Sequence, residues 1–243
     1  MADFDWRTHR LELDDQTLRE WDATVLASSP DGIVLDRSAF YPGGGGQPPD
    51  GGVLLWGGVA TRIVGARKGH DLYLLPAEDD PLPLPGTAVR GALDDERRSA
   101  LMRTHSALHV LCGVVFRDFG ALVTGGNMEP FAARMDFNMT EVPAGFRESA
   151  QTACNREVDA DRRIDVRVLP RAEAFAIPDI IRTATNLVPE GVPEVRIIDI
   201  VGLDTQADGG IHVVSTKQIG RIELTKLENK GRGFRRVRLR VRD

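Results

Sequence analysis

Residues 94–116 read DDERRSALMRTHSALHVLCGVVF, and this stretch predicts one long amphipathic helix. Asp94 or Asp95 is suited to the N-cap, because a carboxylate there accepts the unpaired backbone N–H groups of the first turn. One stripe at helical spacing is apolar and consists of Leu101, Leu108, Leu111, Cys112 and Val115. The helix separates a strand-rich N-terminal part of the chain from a mixed C-terminal part.

Before the helix, short strands alternate with glycine and proline. Strands are predicted over residues 23–27, 32–35, 52–55, 58–64 and 71–75, a pattern typical of a small barrel or meander. Residues 76–86 hold four prolines and three acids, and we interpret them as a boundary segment. We therefore expect a β-barrel domain over residues 1–88 and a second domain over residues 89–243.

After the helix, the two periodicities mix. Helices are predicted over 144–156 and 171–185, and strands over 164–169, 195–200, 212–214, 220–224 and 234–241. In the last strand Arg236, Arg238, Arg240 and Arg242 alternate with apolar residues. The fold class is therefore α+β.

The charge is distributed unevenly along the 243 residues. The net charge is −5, yet residues 217–243 hold ten Lys/Arg against three Asp/Glu, a local +7 that leaves −12 upstream. The two cysteines are too few for a disulfide framework, and residues 1–7 show no basic segment followed by an apolar run. Without a long apolar stretch either, we expect a cytoplasmic protein with no membrane span.

Three of the five histidines occur at spacings that suit a metal. His105 and His109 are four residues apart on the predicted helix, so both rings project from one face. Asp208 and His212 flank Gly209 and Gly210, which we expect to fold the two side chains together through positive φ angles. Three nitrogens and one oxygen suit tetrahedral Zn²⁺, although histidines at helical spacing are as often core or solvated residues.

Two sequence features argue against other chemistries. Ser106 stands where a His-Glu-x-x-His metalloprotease carries its general base, so that route to peptide hydrolysis is not supported. The glycine-rich segment FYPGGGGQPPDGG, residues 40–52, lacks the ending of a phosphate-binding loop, and no dinucleotide motif follows a strand. No nucleotide cofactor is expected, and the segment is either a flexible connector or a place where backbone N–H groups approach a ligand.

Together these motifs resemble the freestanding alanyl-tRNA editing proteins and the similar editing domain of alanyl-tRNA synthetase. The resemblance rests on four blocks in order: residues 40–52, residues 97–109, residues 195–213, and the closing TKQIG and KGRG segments at 216–220 and 230–233. Asp208, Ile211 and Gln218 depart from the Cys, Thr and Glu that are usual in this family.

The resemblance implies an N-terminal β-barrel and a two-layer α/β editing domain of the threonyl/alanyl-tRNA synthetase type. It implies an ATP-independent deacylase for translation fidelity that hydrolyses tRNA(Ala) mischarged with serine or glycine. The acceptor end of tRNA(Ala) is the expected partner.

The resemblance also implies the residues of the site. Zn²⁺ would be held by His105, His109, Asp208 and His212. Catalytic roles fall to Gln47 and Ser106, and substrate binding to Gly44, Gly45, Gly46 and Gln47. The basic residues expected to bind tRNA are Lys226, Lys230, Arg232, Arg235 and Arg236, unless this face is merely solvated.

Two other functions fit the same residues. A catalytically silent tRNA-binding module would use the metal only to stabilise the fold, and Asp208 in place of Cys favours it. A zinc hydrolase for a small ester or amide would turn over substrate without tRNA. The sequence makes no prediction of oligomeric state, and it leaves open whether zinc is catalytic or positioning.

Overall fold

The computed structural model describes residues 7–243. Residues 1–6, on which the expectation of no signal peptide partly depends, lie outside the described residues. The chain divides into two compact units, one of residues 7–44 with Pro48–Ser99 and one of Gly45–Gln47 with Ala100–Asp243. The domain boundary at residue 88 stays a prediction.

The first unit contains a closed β-barrel. Its elements are β1 (His9–Arg10), α1 (Leu11–Asp14), β2 (Glu20–Ser29), β3 (Gly32–Leu35), β4 (Arg37–Ser38), β5 (Gly52–Trp56), β6 (Val59–Lys68), β7 (Leu72–Pro76) and β8 (Ala88–Leu93). The barrel order is β2-β3-β7-β6-β5-β8, and its core includes Trp21, Ile33, Phe40, Leu54 and Leu74. The predicted N-terminal barrel is confirmed, and the proline-rich segment connects β7 to β8.

A buried ion pair ties the loops of this unit together. The side chains of Arg98 and Asp50 are 0% and 1% exposed. Arg98 donates to Asp50 Oδ2 from Nε at 3.0 Å and from Nη2 at 2.6 Å, and Nη1 donates to the carbonyl of Gln16 at 2.9 Å. Nη2 also donates to the carbonyl of Ala39, and Asp50 Oδ2 accepts the N–H of Tyr41 at 2.7 Å. Each nitrogen of the guanidinium group therefore has an acceptor inside the protein.

The second unit mixes helices with two antiparallel sheets. Helix α2 runs over Asp95–Phe119, and its residues from Ala100 onward belong to this unit. The other elements are β9 (Val123–Glu129), β10 (Ala132–Asn138), α3 (Phe146–Asp159), β11 (Ile164–Pro170), α4 (Arg171–Ala176), β12 (Glu194–Ile200), β13 (Asp204–Ala207), a 3₁₀ turn (Thr216–Ile219), β14 (Arg221–Asn229) and β15 (Phe234–Arg242). The sheet orders are β14-β15-β10-β9 and β11-β12-β13. The α+β fold class is confirmed.

Helix α2 buries an apolar stripe, and helix α3 hydrogen-bonds to the edge strand β14. Asp94 caps α2 by accepting the N–H of Arg97 at 3.0 Å, and all five residues of the predicted apolar stripe are buried. On α3, Asn155 hydrogen-bonds both the N–H and the carbonyl of Ile222 in β14, and Gln151 accepts the N–H of Leu224. These side-chain amides satisfy backbone groups of an edge strand that has no further strand beside it.

Two predicted elements are wrong. The helix over 171–185 ends at Ala176, because the proline at 178 disfavours helical geometry in Ile177, which is extended. Residues 212–214 form no strand within the described chain. The N–H of Ile211 donates to Gln47 and that of Val213 to Ser106, so side chains take the place of a strand partner.

Within residues 7–243, none of the helices has the length and apolar character needed to cross a bilayer. Cys112 and Cys154 are both buried free thiols. Burial raises the pKa of each thiol, for Cys154 to about 12, so neither is a reactive thiolate at neutral pH.

Candidate metal centre

Four predicted side chains converge in the second unit. His105 and His109 project from α2, whereas Asp208 and His212 lie in the loop that follows β13. One ligand atom from each lies within 4.8 Å of those of the others. Nε2 of His105 and of His109 are each 3.8 Å from Asp208 Oδ1, and Nε2 of His212 is 3.4 Å from Oδ2. The geometry brings together the set that the sequence predicted as metal ligands.

Gly210 makes this convergence possible, although not in the predicted way. The expected positive φ angles at Gly209 and Gly210 are wrong, because neither is among the described glycines with positive φ. A Cβ on Gly210 would instead lie 2.0 Å from Cε1 of His105. Glycine is required here because the backbone passes directly against an imidazole ring.

Arg196 holds the turn that carries Asp208. It is 6% exposed, and its Nη1 donates to the carbonyls of Gly210 at 2.6 Å and Asp208 at 3.2 Å. The N–H of Asp208 in turn donates to the carbonyl of Arg196 at 3.1 Å. The sequence assigned Arg196 no role, and the available signal was an arginine between the apolar residues Val195 and Ile197 of β12.

Gln47 orients the ring of His105. Its Oε1 accepts the backbone N–H of Ile211 at 3.2 Å, and Nδ1 of His105 lies 2.8 Å from the same oxygen. Because that oxygen is an acceptor, the ring carries its proton on Nδ1 and presents the lone pair of Nε2 to Asp208. Nε2 of Gln47 is buried and has no hydrogen-bond partner in the described part of the chain.

Ser106 orients the ring of His212 in the same manner. Its hydroxyl lies 3.1 Å from Nδ1 of His212 and accepts the N–H of Val213 at 3.2 Å. The serine is fully buried. Both predicted catalytic residues, Gln47 and Ser106, therefore contact ring nitrogens, and their catalytic assignment stays a prediction.

The electrostatics keep the imidazoles neutral and the carboxylate charged. Burial lowers the pKa of His105, His109 and His212, for His212 to about 3. Burial opposes ionisation of Asp208, but its three imidazole neighbours outweigh that effect and hold its pKa well below the usual range. Neutral imidazole and carboxylate are the protonation states in which these groups bind a metal ion.

Part of the glycine-rich segment belongs to the same unit. Gly45 and Gly46 have φ angles of 60° and 89°, and the N–H of Met128 donates to the carbonyl of Gly46 at 3.2 Å. A Cβ on Gly45 would lie 3.9 Å from Asp208 Oδ1. Gly44 belongs to the barrel unit, where it faces Lys68. Substrate binding by this segment stays a prediction.

The predicted tRNA-binding residues differ in their surroundings. Arg236 makes two 2.7 Å hydrogen bonds to Asp136, and Arg235 donates to the carbonyls of Thr140 and Phe234. Lys226 pairs with Glu228 at 2.8 Å. Lys230 and Arg232 have no ion pair within the described residues. Their role in tRNA binding stays a prediction.

Part of the site lies in a segment that matches a known protein family, and nearly the whole chain matches known proteins. The family model described as the threonyl and alanyl tRNA synthetase second additional domain matches residues 195–238, which include Asp208 and His212. The chain is 38% identical over 232 residues to the alanyl-tRNA editing protein AlaX-M of Saccharolobus solfataricus, covering 95% of this chain and 97% of the relative. It is 32% identical over 231 residues to AlaX-M of Methanosarcina acetivorans, covering 92% and 94%.

A longer protein matches as well. The alanine–tRNA ligase of Pyrococcus furiosus is 34% identical over 233 residues, which are 95% of this chain but 25% of the ligase. The AlaX-M relatives are instead covered almost end to end. The chain therefore belongs to the family of alanyl-tRNA editing proteins.

Proposed function

We propose that this protein is a trans-editing hydrolase of the cytoplasm that deacylates mischarged tRNA(Ala), carrying serine or glycine, at a zinc-containing site. The observation that supports it is a set of three buried imidazoles and one partly buried carboxylate whose ligand atoms lie within 4.8 Å of one another. This set lies in a chain that matches alanyl-tRNA editing proteins over nearly its whole length.

Zinc fits the donor set. His105, His109 and His212 would ligate through Nε2, since Gln47 and Ser106 occupy Nδ1 of His105 and His212. Asp208 would ligate through Oδ1, because Oδ2 already accepts the N–H of Gly210 at 2.5 Å. If Asp208 left the fourth position open, bound zinc would supply Lewis-acid chemistry, lowering the pKa of a water or holding the substrate's amino group; with Asp208 bound, zinc would only position the imidazoles.

The protein's own groups would handle the ester. Nε2 of Gln47 is a buried donor without a partner among the described residues, and in this proposal it would stabilise charge on the ester carbonyl oxygen. Gly45 and Gly46 let the backbone approach a ligand without side-chain interference. An aminoacyl ester is already activated, so hydrolysis requires no nucleotide cofactor.

Selection against alanine requires a polar contact. A pocket that excludes by size discriminates poorly between side chains differing by one small group, whereas a buried group that hydrogen-bonds the seryl hydroxyl discriminates strongly. We therefore expect Ser-tRNA(Ala) to react faster than Ala-tRNA(Ala).

The test is deacylation by the zinc-loaded protein of Ser-, Gly- and Ala-tRNA(Ala), with Ser-tRNA(Ser) as the control for tRNA identity. We expect Ser-tRNA(Ala) or Gly-tRNA(Ala) to be hydrolysed and both other substrates to be spared. His9→Ala is a matched variant, because His9 is exposed and pairs with Asp14, and it should keep full activity. Binding of tRNA without deacylation would favour the silent module, and turnover of a free seryl ester would favour a small-ester hydrolase.

A further inference from the structure

The sheet β14-β15-β10-β9 has one face covered with arginine. Along β15, Val237, Leu239 and Val241 are buried, whereas Arg238, Arg240 and Arg242 are exposed. Strand β10 adds Arg134, which is directly opposite Arg238 in the antiparallel register. A row of like charges is destabilising unless anions lie between them.

Neighbouring acids neutralise most of this row. Arg236 pairs with Asp136 at 2.7 Å, Arg238 with Glu228 at 2.8 Å, and Arg242 with Glu223 at 3.0 Å. Arg240 is opposite Glu223 in the register, but the carboxylate of Glu223 contacts Arg242. Within residues 7–243, Arg240 makes no ion pair or side-chain hydrogen bond.

A groove opens on the sheet beside Arg240. Its volume is about 280 Å³. Its polar side chains are Asn127, Glu129, Arg134, Thr225, Arg238 and Arg240, and Ala132 leaves space among them. We call it the arginine groove, and we propose that it binds a backbone phosphodiester of RNA. The proposal rests on the proposed function, because it names how this chain holds its tRNA.

The lining chemistry selects this occupant. Guanidinium groups present planar pairs of N–H donors that match phosphate oxygens. Of the three arginines that line the groove, Arg134 pairs with Asp136 at 3.2 Å and Arg238 with Glu228 at 2.8 Å, so Arg240 is the arginine expected to bind phosphate. Glu129 is an acceptor in the same groove, and an RNA strand carries 2′-hydroxyl donors beside its phosphates that can pair with it.

The cations that we now expect to contact tRNA differ from those predicted from the sequence. The side chains of Arg235 and Arg236 already donate to Thr140 and Asp136, so contact with phosphate would require breaking internal hydrogen bonds. Arg240 requires no such loss. It is therefore the strongest phosphate contact that we expect on this sheet.

The experiment measures binding of uncharged tRNA(Ala) to the full-length protein by fluorescence anisotropy over a series of salt concentrations. Arg240→Gln should raise Kd about tenfold at low salt and reduce the slope of log Kd against log salt by about one. Arg221→Gln is the matched control. It removes one charge from the same sheet, but its partner Asp159 is exposed and lies outside the groove, so we expect less than about a twofold change.

Equal effects of Arg240→Gln and Arg221→Gln would overturn the groove assignment, since only general charge would then matter. Polyglutamate that binds the wild type more tightly than an RNA strand of equal charge, and loses this binding in Arg240→Gln, would overturn RNA as the occupant. Deacylation by the wild type is measured in parallel. If Arg240→Gln binds tRNA like the wild type while the wild type deacylates its substrate, only this inference is refuted. If Arg240→Gln weakens salt-sensitive tRNA binding but the wild type shows no deacylation, only the proposed function is refuted.

Discussion

The molecule contains two buried polar clusters, and they differ in how their groups are paired. In the barrel unit, Arg98 donates from Nε, Nη1 and Nη2 to acceptors inside the protein, whereas Oδ1 of Asp50 has no partner among the described residues. In the second unit, the Nε2 atoms of three imidazoles lie 3.4 or 3.8 Å from the oxygens of one carboxylate, and Nε2 of Gln47 and Nδ1 of His109 have no partner among the described residues. A buried polar group without a partner costs free energy, and the second cluster holds two such groups beside a set of side chains that suits a metal ion.

This difference separates a structural role from a functional one. The Arg98–Asp50 pair connects segments of the barrel unit, and removing either partner leaves a buried charge behind. The imidazole cluster keeps its groups neutral and oriented at a cost in stability that a bound metal ion would offset. We therefore expect substitutions in the first cluster to reduce folding stability and those in the second to reduce metal binding and catalysis.

The largest expected effect is that of His109→Ala. Loss of one of four ligands should lower zinc occupancy and deacylation together, the latter by more than about a thousandfold. The fold should persist, because Nδ1 of His109 makes no hydrogen bond within the described residues. Zinc content by mass spectrometry, activity and circular dichroism check this together. Full activity in a demonstrably zinc-free variant would remove the metal from the account.

Arg98→Met should have the opposite signature. It leaves Asp50 buried and unpaired, which we expect to lower the free energy of unfolding by about 3–5 kcal/mol. The double variant Arg98→Met with Asp50→Leu removes both charges and should recover most of that loss. Urea unfolding measures both variants, and zinc content per folded molecule should stay at the wild-type value. Reduced zinc affinity in a folded Arg98→Met protein would contradict the separation of the two clusters.

Two substitutions of Gln47 separate the role of its carbonyl oxygen in zinc binding from the role of its Nε2 donor in catalysis. Gln47→Ala removes the acceptor for Nδ1 of His105 and should weaken zinc affinity by about 10–100-fold. Gln47→Glu keeps an acceptor for that ring but removes the Nε2 donor. It should therefore retain zinc while kcat falls by about a hundredfold. Competition with a chelator gives zinc affinity, and single-turnover deacylation gives the rate. Equal losses of zinc in both variants would show that the acceptor oxygen beside Nδ1 of His105 does not by itself set zinc affinity.

The ion pair of Asp136 and Arg236 is less buried than that of Arg98 and Asp50, since both of its side chains are 16% exposed. Hydrogen bonds from Arg236 hold the pKa of Asp136 below its usual range. A carboxyl whose pKa is lower in the folded state adds stability above its unfolded pKa of about 3.9, and loses it as the pH falls further. Asp136→Asn should cost about 1 kcal/mol at pH 7 and progressively less below about pH 4. A loss in unfolding free energy that does not change with pH would show that the carboxylate charge is irrelevant.

Local periodicity predicted the parts of the site that lie on one element or one turn. His105 and His109 follow from helical spacing, and Asp208 with His212 from a short loop rich in glycine. The contact of Gln47 with His105 joins residues 58 positions apart, so spacing could not reveal it. Only the resemblance to a family pointed to Gln47.

The missed elements have physical reasons as well. The apolar pattern of β9 is interrupted by Gly125 and Gly126, so its strand signal is weak. The helix over 171–185 was predicted from the side-chain pattern alone, but Pro178 prevents the backbone from continuing as a helix. Neutralisation of the arginine row depends on acids from β10 and β14, whose pairing with β15 is a tertiary property.

X-ray absorption spectroscopy at the zinc edge of the zinc-loaded protein tests the central claim most directly. We predict three nitrogen ligands at about 2.0–2.1 Å and oxygen at about 2.0–2.2 Å, with no sulfur bound to the zinc, and loss of one nitrogen in His109→Ala. A sulfur ligand near about 2.3 Å, or a set of zinc ligands unchanged by His109→Ala, would place zinc elsewhere and contradict the assignment.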